Sequence, residues 1–200
     1  AAGGLVGEVV QIWKPKQRNT FETEWGFSCM GYEISGALGI KMAKPDQDVV
    51  VFVGDGSYLL ANSDIYSSII YDKKLIIIVC DNGGHMVINR LQLAKGGKEY
   101  ICNLRAARAS NLQFVDFESH AKSMGANAET VSSTSDLEAA FLRAKKSNKT
   151  YVIALKTDGY EWLEGTSFWE SPTSEIHSNE ENKKAYSDFL KGKKKQRKGI

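Results

Sequence analysis

Cysteine is scarce in this 200-residue chain: there are three, Cys29, Cys80 and Cys102. The odd count, with no metal-like spacing, excludes a disulfide framework and a cysteine-built zinc site. Cys80 falls inside an apolar run and reads as a small buried hydrophobe. Such usage fits a reducing compartment, and the expected location is cytoplasmic. Long apolar runs are missing too. No stretch reaches the roughly 18 apolar residues of a membrane-crossing helix, and no secretory leader is visible. No internal repeat shows. Nor does one sign of charge dominate, since the formal net charge is +2. The basic residues are concentrated in Lys191–Lys198, so the rest of the chain is acidic on balance and has no bulk pull toward nucleic acid or membrane. The basic run lacks interleaved aromatics, and like-charged runs of this kind are solvated, disordered ends. A module binding nucleic acid or an acidic partner through that run is the remote alternative.

What the chain has is alternation. Leu5 to Trp13 carries apolar residues at helical spacing, and Pro15 to Thr20 is a polar break. Gly31 to Ala43 is a second helix, small and apolar. Val49 to Val53 and Leu75 to Cys80 are mostly β-branched runs that read as buried strands, with a helix at Asn62 to Tyr71 between them. Gly83 to Asn111 reads as a long functional loop with helical pieces. Asp116 to Met124 is a helix and Ala128 to Val131 a short strand. Ser135-Asp136-Leu137-Glu138 is a capping-box pattern opening a helix to Lys146. Tyr151 to Leu155 is a strand. Ser178 to Glu181 is a second capping box ahead of an amphipathic helix. Strands alternating with helices predict an α/β fold, a three-layer, doubly wound parallel sheet. The division expected is 1–177 for the body and 178–200 for a terminal helix and basic tail.

Two segments, 27 positions apart, carry the chemistry: Gly54-Asp55-Gly56-Ser57 and Asp81-Asn82-Gly83-Gly84. Each follows a strand, so both lie at the carboxyl edge of the sheet, where open α/β sheets bind ligands. Gly54 and Gly56 let the backbone turn and approach a ligand closely. N–H groups at the start of the next helix can receive phosphate oxygens, and Ser57 can donate to one. The segment is not a Walker loop, since the closing Gly-Lys-Ser/Thr is missing. It is not the dinucleotide fingerprint either, since Leu59 stands at the third glycine. Alone, Asp55 reads equally as an aspartate capping its own helix, and Asn82 as a turn asparagine. Together they form a hard-oxygen pair. Asp55, the Asn82 amide oxygen and a carbonyl near Gly84, joined by two phosphate oxygens and a water, make the octahedral shell that Mg2+ favours.

Gly-Asp-Gly followed after a hydrophobic strand by this Asn resembles the thiamine diphosphate enzymes, in the domain that grips the diphosphate. Ser28-Cys29-Met30-Gly31 sits where those enzymes carry an apolar residue under the thiazolium ring; without the resemblance Met30 reads as a core methionine. Further strings occur in the same order: Ala2-Gly3-Gly4-Leu5-Val6-Gly7-Glu8, Gly26 to Ile34, Ile88-Asn89-Arg90-Leu91-Gln92, and Asp158-Gly159-Tyr160-Glu161 with Trp169. They resemble the inositol-catabolism family that opens a trihydroxycyclohexane-1,2-dione ring. The chain departs from that family in two places. Phe21-Glu22, ahead of Glu24-Trp25-Gly26, replaces a Tyr-His pair, and His85-Met86-Val87 replaces Phe-Gly-Cys. Lys95 to Ala109 also diverges.

The resemblance implies a thiamine diphosphate-binding fold with thiamine diphosphate and Mg2+ as cofactors. Met30, Gly54, Asp55, Gly56, Ser57, Asn82, Gly84, His85 and Met86 would hold the cofactor, with Asp55, Asn82 and Gly84 on the metal. The implied reaction is hydrolysis of a C–C bond in a polyol-derived cyclic ketone; the alternative is the domain of an acetolactate synthase or 2-keto acid decarboxylase. In such enzymes a glutamate on a separate pyrimidine-binding domain activates the cofactor. Nothing here plays that part, and Glu33 reads as a structural or substrate contact. The expectation is therefore a fragment or one subunit of a split enzyme, partnered by a pyrimidine-binding domain in the same or another chain. A homo-oligomer, dimer or tetramer, is expected. Of the histidines, His85 alone is a catalytic candidate, against the plainer reading of an exposed loop residue. Arg90 and Lys95 read either as steering groups for an anionic substrate or as solvated charge.

Overall fold

A computed structural model of the chain describes residues 3–24, 26–163, 173–177 and 179–196. Ala2, Trp25, Trp169, Ser178, Arg197 and Lys198, named above, lie outside the described residues. Four strands, β1 (Val50–Gly54), β2 (Ile76–Asp81), β3 (Asn127–Val131) and β4 (Tyr151–Lys156), form one parallel sheet in the order β1-β2-β4-β3. Central β2 is apolar almost throughout because both its faces are covered. On one face, Val51, Val53, Leu75, Ile77, Val79 and Val152 pack against α2 (Tyr32–Ala43), α3 (Asp55–Leu60), α4 (Asp64–Ile70) and α6 (Phe117–Ser123). On the other, Ile76 and Ile153 meet α7 (Thr134–Lys146), whose fully buried Ala140 and Ala144 let the helix approach the sheet closely. The result is the helix–sheet–helix layering read from the alternation.

α1 (Gly4–Ile12) lies against β1, and Trp13 just beyond it packs edge-on to Phe52 with ring centroids 6.4 Å apart. The region 83–111 holds the helical pieces expected of it, α5 (Met86–Ala94) and a 3-10 turn at Leu104–Ala106. The predicted helix at 62–71 is preceded by α3, a separate short helix that begins at Asp55 itself.

Three local expectations are corrected. The cap of α7 is Ser133, which accepts the Asp136 N–H at 3.1 Å while its hydroxyl donates to the Asp136 carboxylate at 2.7 Å. The cap thus sits two residues early, and Asp136 bonds back to the Ser133 hydroxyl in place of the backbone N–H that a full capping box uses. The last helix, α8 (Glu180–Lys195), is capped by Asn179, whose side chain accepts the Asn182 N–H at 2.8 Å, one position after the Ser178 expected to open the box. Finally, Lys191–Lys195 continue α8 instead of forming a disordered end. Their place in its last turns sets positive charge against the negative end of the helix dipole.

Candidate functional site

Strands β1 and β2 run in register, Gly54 beside Cys80. Asp55 and Asn82 therefore leave the sheet side by side, as their spacing predicts. Asp55 is buried at 3% exposure. Gly54 occupies the cap position of α3 and Asp55 is its first residue, while the carboxylate reaches across to β2 and accepts the Gly84 N–H at 2.7 Å. Asp55 thus bonds beyond its own helix, to the turn that follows β2. Gly83 and Gly84 have φ of +87° and +136°, and the left-handed turn they make curls the chain back toward Asp55. Gly84 has no room for a side chain, since a Cβ there would stand 2.4 Å from the Cys102 carbonyl oxygen.

The Asn82 amide oxygen faces two further acceptors, 2.8 Å from the Gly84 carbonyl oxygen and 3.2 Å from Asp55 Oδ1. Three oxygens thus converge with no proton between them. Two arrangements satisfy such a trio. The amide can turn over and donate to both neighbours, or a cation can sit among all three. Neighbouring ligands on an octahedral Mg2+, with metal–oxygen distances of 2.0–2.1 Å, stand about 2.9 Å apart, close to the separations seen. The donors are all hard oxygens, as Mg2+ requires. Among the described residues no group of three or more His, Cys, Asp or Glu could hold an ion. The trio carries one carboxylate, which leaves the balancing charge to a ligand such as a diphosphate.

The electrostatics agree. Burial, with the negative charge of Asp81 next, pushes the Asp55 carboxyl up to about 6. A cation at the trio would offset both effects. Asp81 is itself tied down: it accepts the Gly83 N–H at 3.1 Å and pairs with Lys156. The second carboxylate therefore shapes the Gly83–Gly84 turn from behind and does not join the trio.

A cleft of 680 Å³ opens in front of these oxygens, and all nine residues expected at the cofactor line it: Met30, Gly54, Asp55, Gly56, Ser57, Asn82, Gly84, His85 and Met86. Met30 is half-buried in the turn before α2. His85 is exposed and its ring covers Gly56, where a Cβ would fall 2.6 Å from the ring atoms. Met86 is buried at the first position of α5. Ser57 departs from expectation. Its hydroxyl donates to Glu33 at 2.8 Å and accepts the Gly31 N–H at 2.8 Å, so it faces the protein and not a phosphate. Glu33 thereby takes the structural half of its expected role, binding the Met30–Gly31 turn to the Asp55 segment. Arg90 lines the cleft with its guanidinium 4.5 Å from the centre of the Trp162 ring. Lys95 points away toward Phe189 of α8.

Two groups escaped the sequence reading. Glu24 accepts the N–H groups of Phe27 at 2.8 Å and Cys29 at 2.7 Å, shaping the loop that carries Met30; these bonds hold its carboxyl below the usual range. Glu99, Asn103 and Tyr160 join Asn89 in a hydrogen-bonded cluster beside Gly84. The family strings already contain Asn89 and Tyr160, but their partners are set by loop paths that no period in the sequence encodes.

Residues 1–155 match the family described as thiamine pyrophosphate enzyme, C-terminal TPP binding domain. The chain belongs to this family. Within the thiamine diphosphate enzymes it is similar to proteins named 3D-(3,5/4)-trihydroxycyclohexane-1,2-dione hydrolase. The protein of Halalkalibacterium halodurans is 40% identical over 93% of this chain and 29% of its own length. That of Lacticaseibacillus casei is 39% identical over 96% and 30%, and that of Bacillus subtilis 37% identical over 93% and 29%. The chain thus spans under a third of the length of the curated relatives it matches. Among solved structures, the Rhodococcus jostii RHA1 thiamine diphosphate-dependent 4-hydroxybenzoylformate decarboxylase superposes with a TM-score of 0.54 at 23% identity, covering 64% of this chain and 23% of that one. This likeness supports the α/β thiamine diphosphate-binding fold and nothing finer.

Proposed function

We propose that this chain is the diphosphate- and Mg2+-holding part of an enzyme that hydrolyses a C–C bond in a cyclic 1,2-dione, the ring-opening step of inositol degradation. The convergence of the Asp55, Asn82 and Gly84 oxygens carries the cofactor half of this reading. The names of the relatives support the substrate half. Asp55, Asn82 and the Gly84 carbonyl would hold Mg2+, with diphosphate oxygens completing its shell. Backbone N–H groups around Gly56 would receive the diphosphate, and Met30 would offer the cofactor ring an apolar wall. When bound, thiamine diphosphate supplies an electron sink for breaking a C–C bond beside a carbonyl. His85, exposed at the cleft, would exchange a proton at a ring nitrogen with the substrate. The glutamate that activates the cofactor would come from a pyrimidine-binding domain in the same or another chain, within a cytoplasmic homo-oligomer. Among the described residues no helix is long and apolar enough to cross a membrane.

Calorimetric titration with thiamine diphosphate, with and without Mg2+, tests the cofactor half. Saturable binding that needs Mg2+ is expected. Equal binding with the ion removed would overturn it. The substrate half is tested by acid release from the cyclic dione against CO2 release from pyruvate, using this chain completed by its pyrimidine-binding domain. Acid release is expected, and CO2 release alone would reassign the chemistry.

A further inference from the structure

Glu99 gathers two nearby side chains, 10 and 4 positions away, and a third that is 61 positions away. Its Oε1 accepts from Asn89 Nδ2 of α5 at 2.9 Å, from Asn103 Nδ2 at 3.2 Å and from the Tyr160 hydroxyl at 2.8 Å. Asn103 Nδ2 also donates to the Tyr160 oxygen at 2.7 Å, closing the cluster. Asn89 and Asn103 are almost wholly buried, at 1% and 2% exposure. These bonds hold the Glu99 carboxyl below the usual range. A buried amide whose one hydrogen-bond acceptor is removed keeps its desolvation cost. The cluster is therefore strongly tied to this carboxylate.

Its position gives the cluster consequence. Asn103 pairs with Gly84 in an antiparallel bridge, and the Leu104 N–H donates to the Gly83 carbonyl at 3.0 Å. The Cys102 carbonyl fills the space beside the Gly84 α-carbon. On the other side, a Cβ on Gly159 would stand 2.9 Å from the Asn82 carbonyl oxygen. The segment just before Tyr160 thus presses on Asn82 while the segment around Asn103 presses on Gly83 and Gly84. The backbone that carries two of the three converging oxygens, at Asn82 and at Gly83–Gly84, is thus held between two segments, and Glu99 ties those segments together. The cluster itself touches none of those oxygens.

We propose that Glu99 is a positioning residue for the cation site: through Asn103 and Tyr160 it fixes the angle at which Asn82 and the Gly84 carbonyl meet the ion. This rests on the reading of Asp55, Asn82 and Gly84 as metal ligands. A Mg2+ site demands near-ideal octahedral geometry, while Ca2+ accepts irregular shells. Loosening this hold therefore weakens Mg2+ and narrows its advantage over Ca2+. Second-layer partners of metal ligands are typically worth about 10–100-fold in affinity.

The test uses the full chain with saturating thiamine diphosphate. Mn2+ is titrated by electron paramagnetic resonance, with Mg2+ and Ca2+ as competitors. The variants are Glu99→Ala, Tyr160→Phe and Asp55→Asn, with Glu129→Gln as a control in a separate hydrogen-bond cluster. Glu99→Ala is expected to weaken Mn2+ about 10-fold or more, to alter the spectrum of the bound ion and to narrow Mg2+ preference over Ca2+. Tyr160→Phe moves the same readouts less, and the control moves none. If Glu99→Ala does not fold, Tyr160→Phe, which removes one hydroxyl, decides. Unchanged affinity, spectrum and selectivity in the folded variants, with binding lost in Asp55→Asn, overturns the proposal and leaves the cation site standing. Unimpaired Mn2+ binding by Asp55→Asn removes the underlying site and the proposal with it.

Discussion

At the scale of single residues, the chemistry depends on how closely the turns after β1 and β2 approach each other. Asp55 is aimed by its bond to the Gly84 N–H, and that bond exists because Gly83 and Gly84 take left-handed conformations. Gly84→Ala forces a Cβ to within 2.4 Å of the Cys102 oxygen at a φ of +136°. Strain of this kind costs about 1–3 kcal/mol, so a lower melting temperature and lost Mg2+-dependent cofactor binding are expected in thermal melts and calorimetry. Asp55→Asn keeps shape but removes the charge. Its Mg2+-dependent affinity for thiamine diphosphate is expected to fall by about 100-fold or more, at or beyond the upper end of effects seen for outer-layer partners. The Asp55/Asn82 pair was legible in the sequence because a parallel register places the ends of neighbouring strands together. The destination of the Ser57 hydroxyl was not legible. Glu33 lies 24 positions upstream, and only the packing of α2 beside α3 brings the two together.

Elements carry the site through stiffness. Ile77 is the second residue of β2 and is fully buried against one helix layer. Ile77→Ala is expected to cost about 2–5 kcal/mol, read as a lower denaturant midpoint, and to loosen the strand that ends in the Asn82 turn. At the far edge, Glu129 of β3 accepts from Arg143 of α7 at 2.9 and 2.6 Å and from Tyr151 of β4 at 2.5 Å. The Arg143 bonds, with the Tyr151 hydroxyl adding to them, hold the Glu129 carboxyl below its ordinary value of 4.5. A lowered folded-state value contributes stability that is present above pH 4.5 and lost as pH falls through the folded value. Glu129→Gln is therefore expected to melt below the unaltered chain at neutral pH, with the gap closing on acidification; a gap that widened in acid would contradict this. The strands and their order along the chain were readable because β-branched runs and their neighbours set a simple period. The caps of α7 and α8 were misplaced because several Ser, Asn and Asp residues compete within a few positions, and only backbone geometry selects Ser133 and Asn179.

For the whole molecule, the fold presents a prepared cleft but under a third of the length of its relatives. Alone, the chain is expected to bind Mg2+ and thiamine diphosphate weakly and to release no acid from a cyclic dione. Adding a pyrimidine-binding domain is expected to restore turnover, and turnover by the chain alone would contradict the division of labour. The parallel layering and the site's place at the carboxyl edge were plain from alternation and two loops. The clamp around Glu99 was not, because it joins α5, a loop and the turn after β4 through contacts up to 61 positions apart. The most direct measurement is an anomalous-scattering crystal structure of the chain with Mn2+ and thiamine diphosphate. One peak bonded to Asp55, the Asn82 amide oxygen and the Gly84 carbonyl is the predicted result. A structure with thiamine diphosphate bound, the Asn82 amide turned to donate to Gly84 and Asp55, and the ion elsewhere would contradict the account.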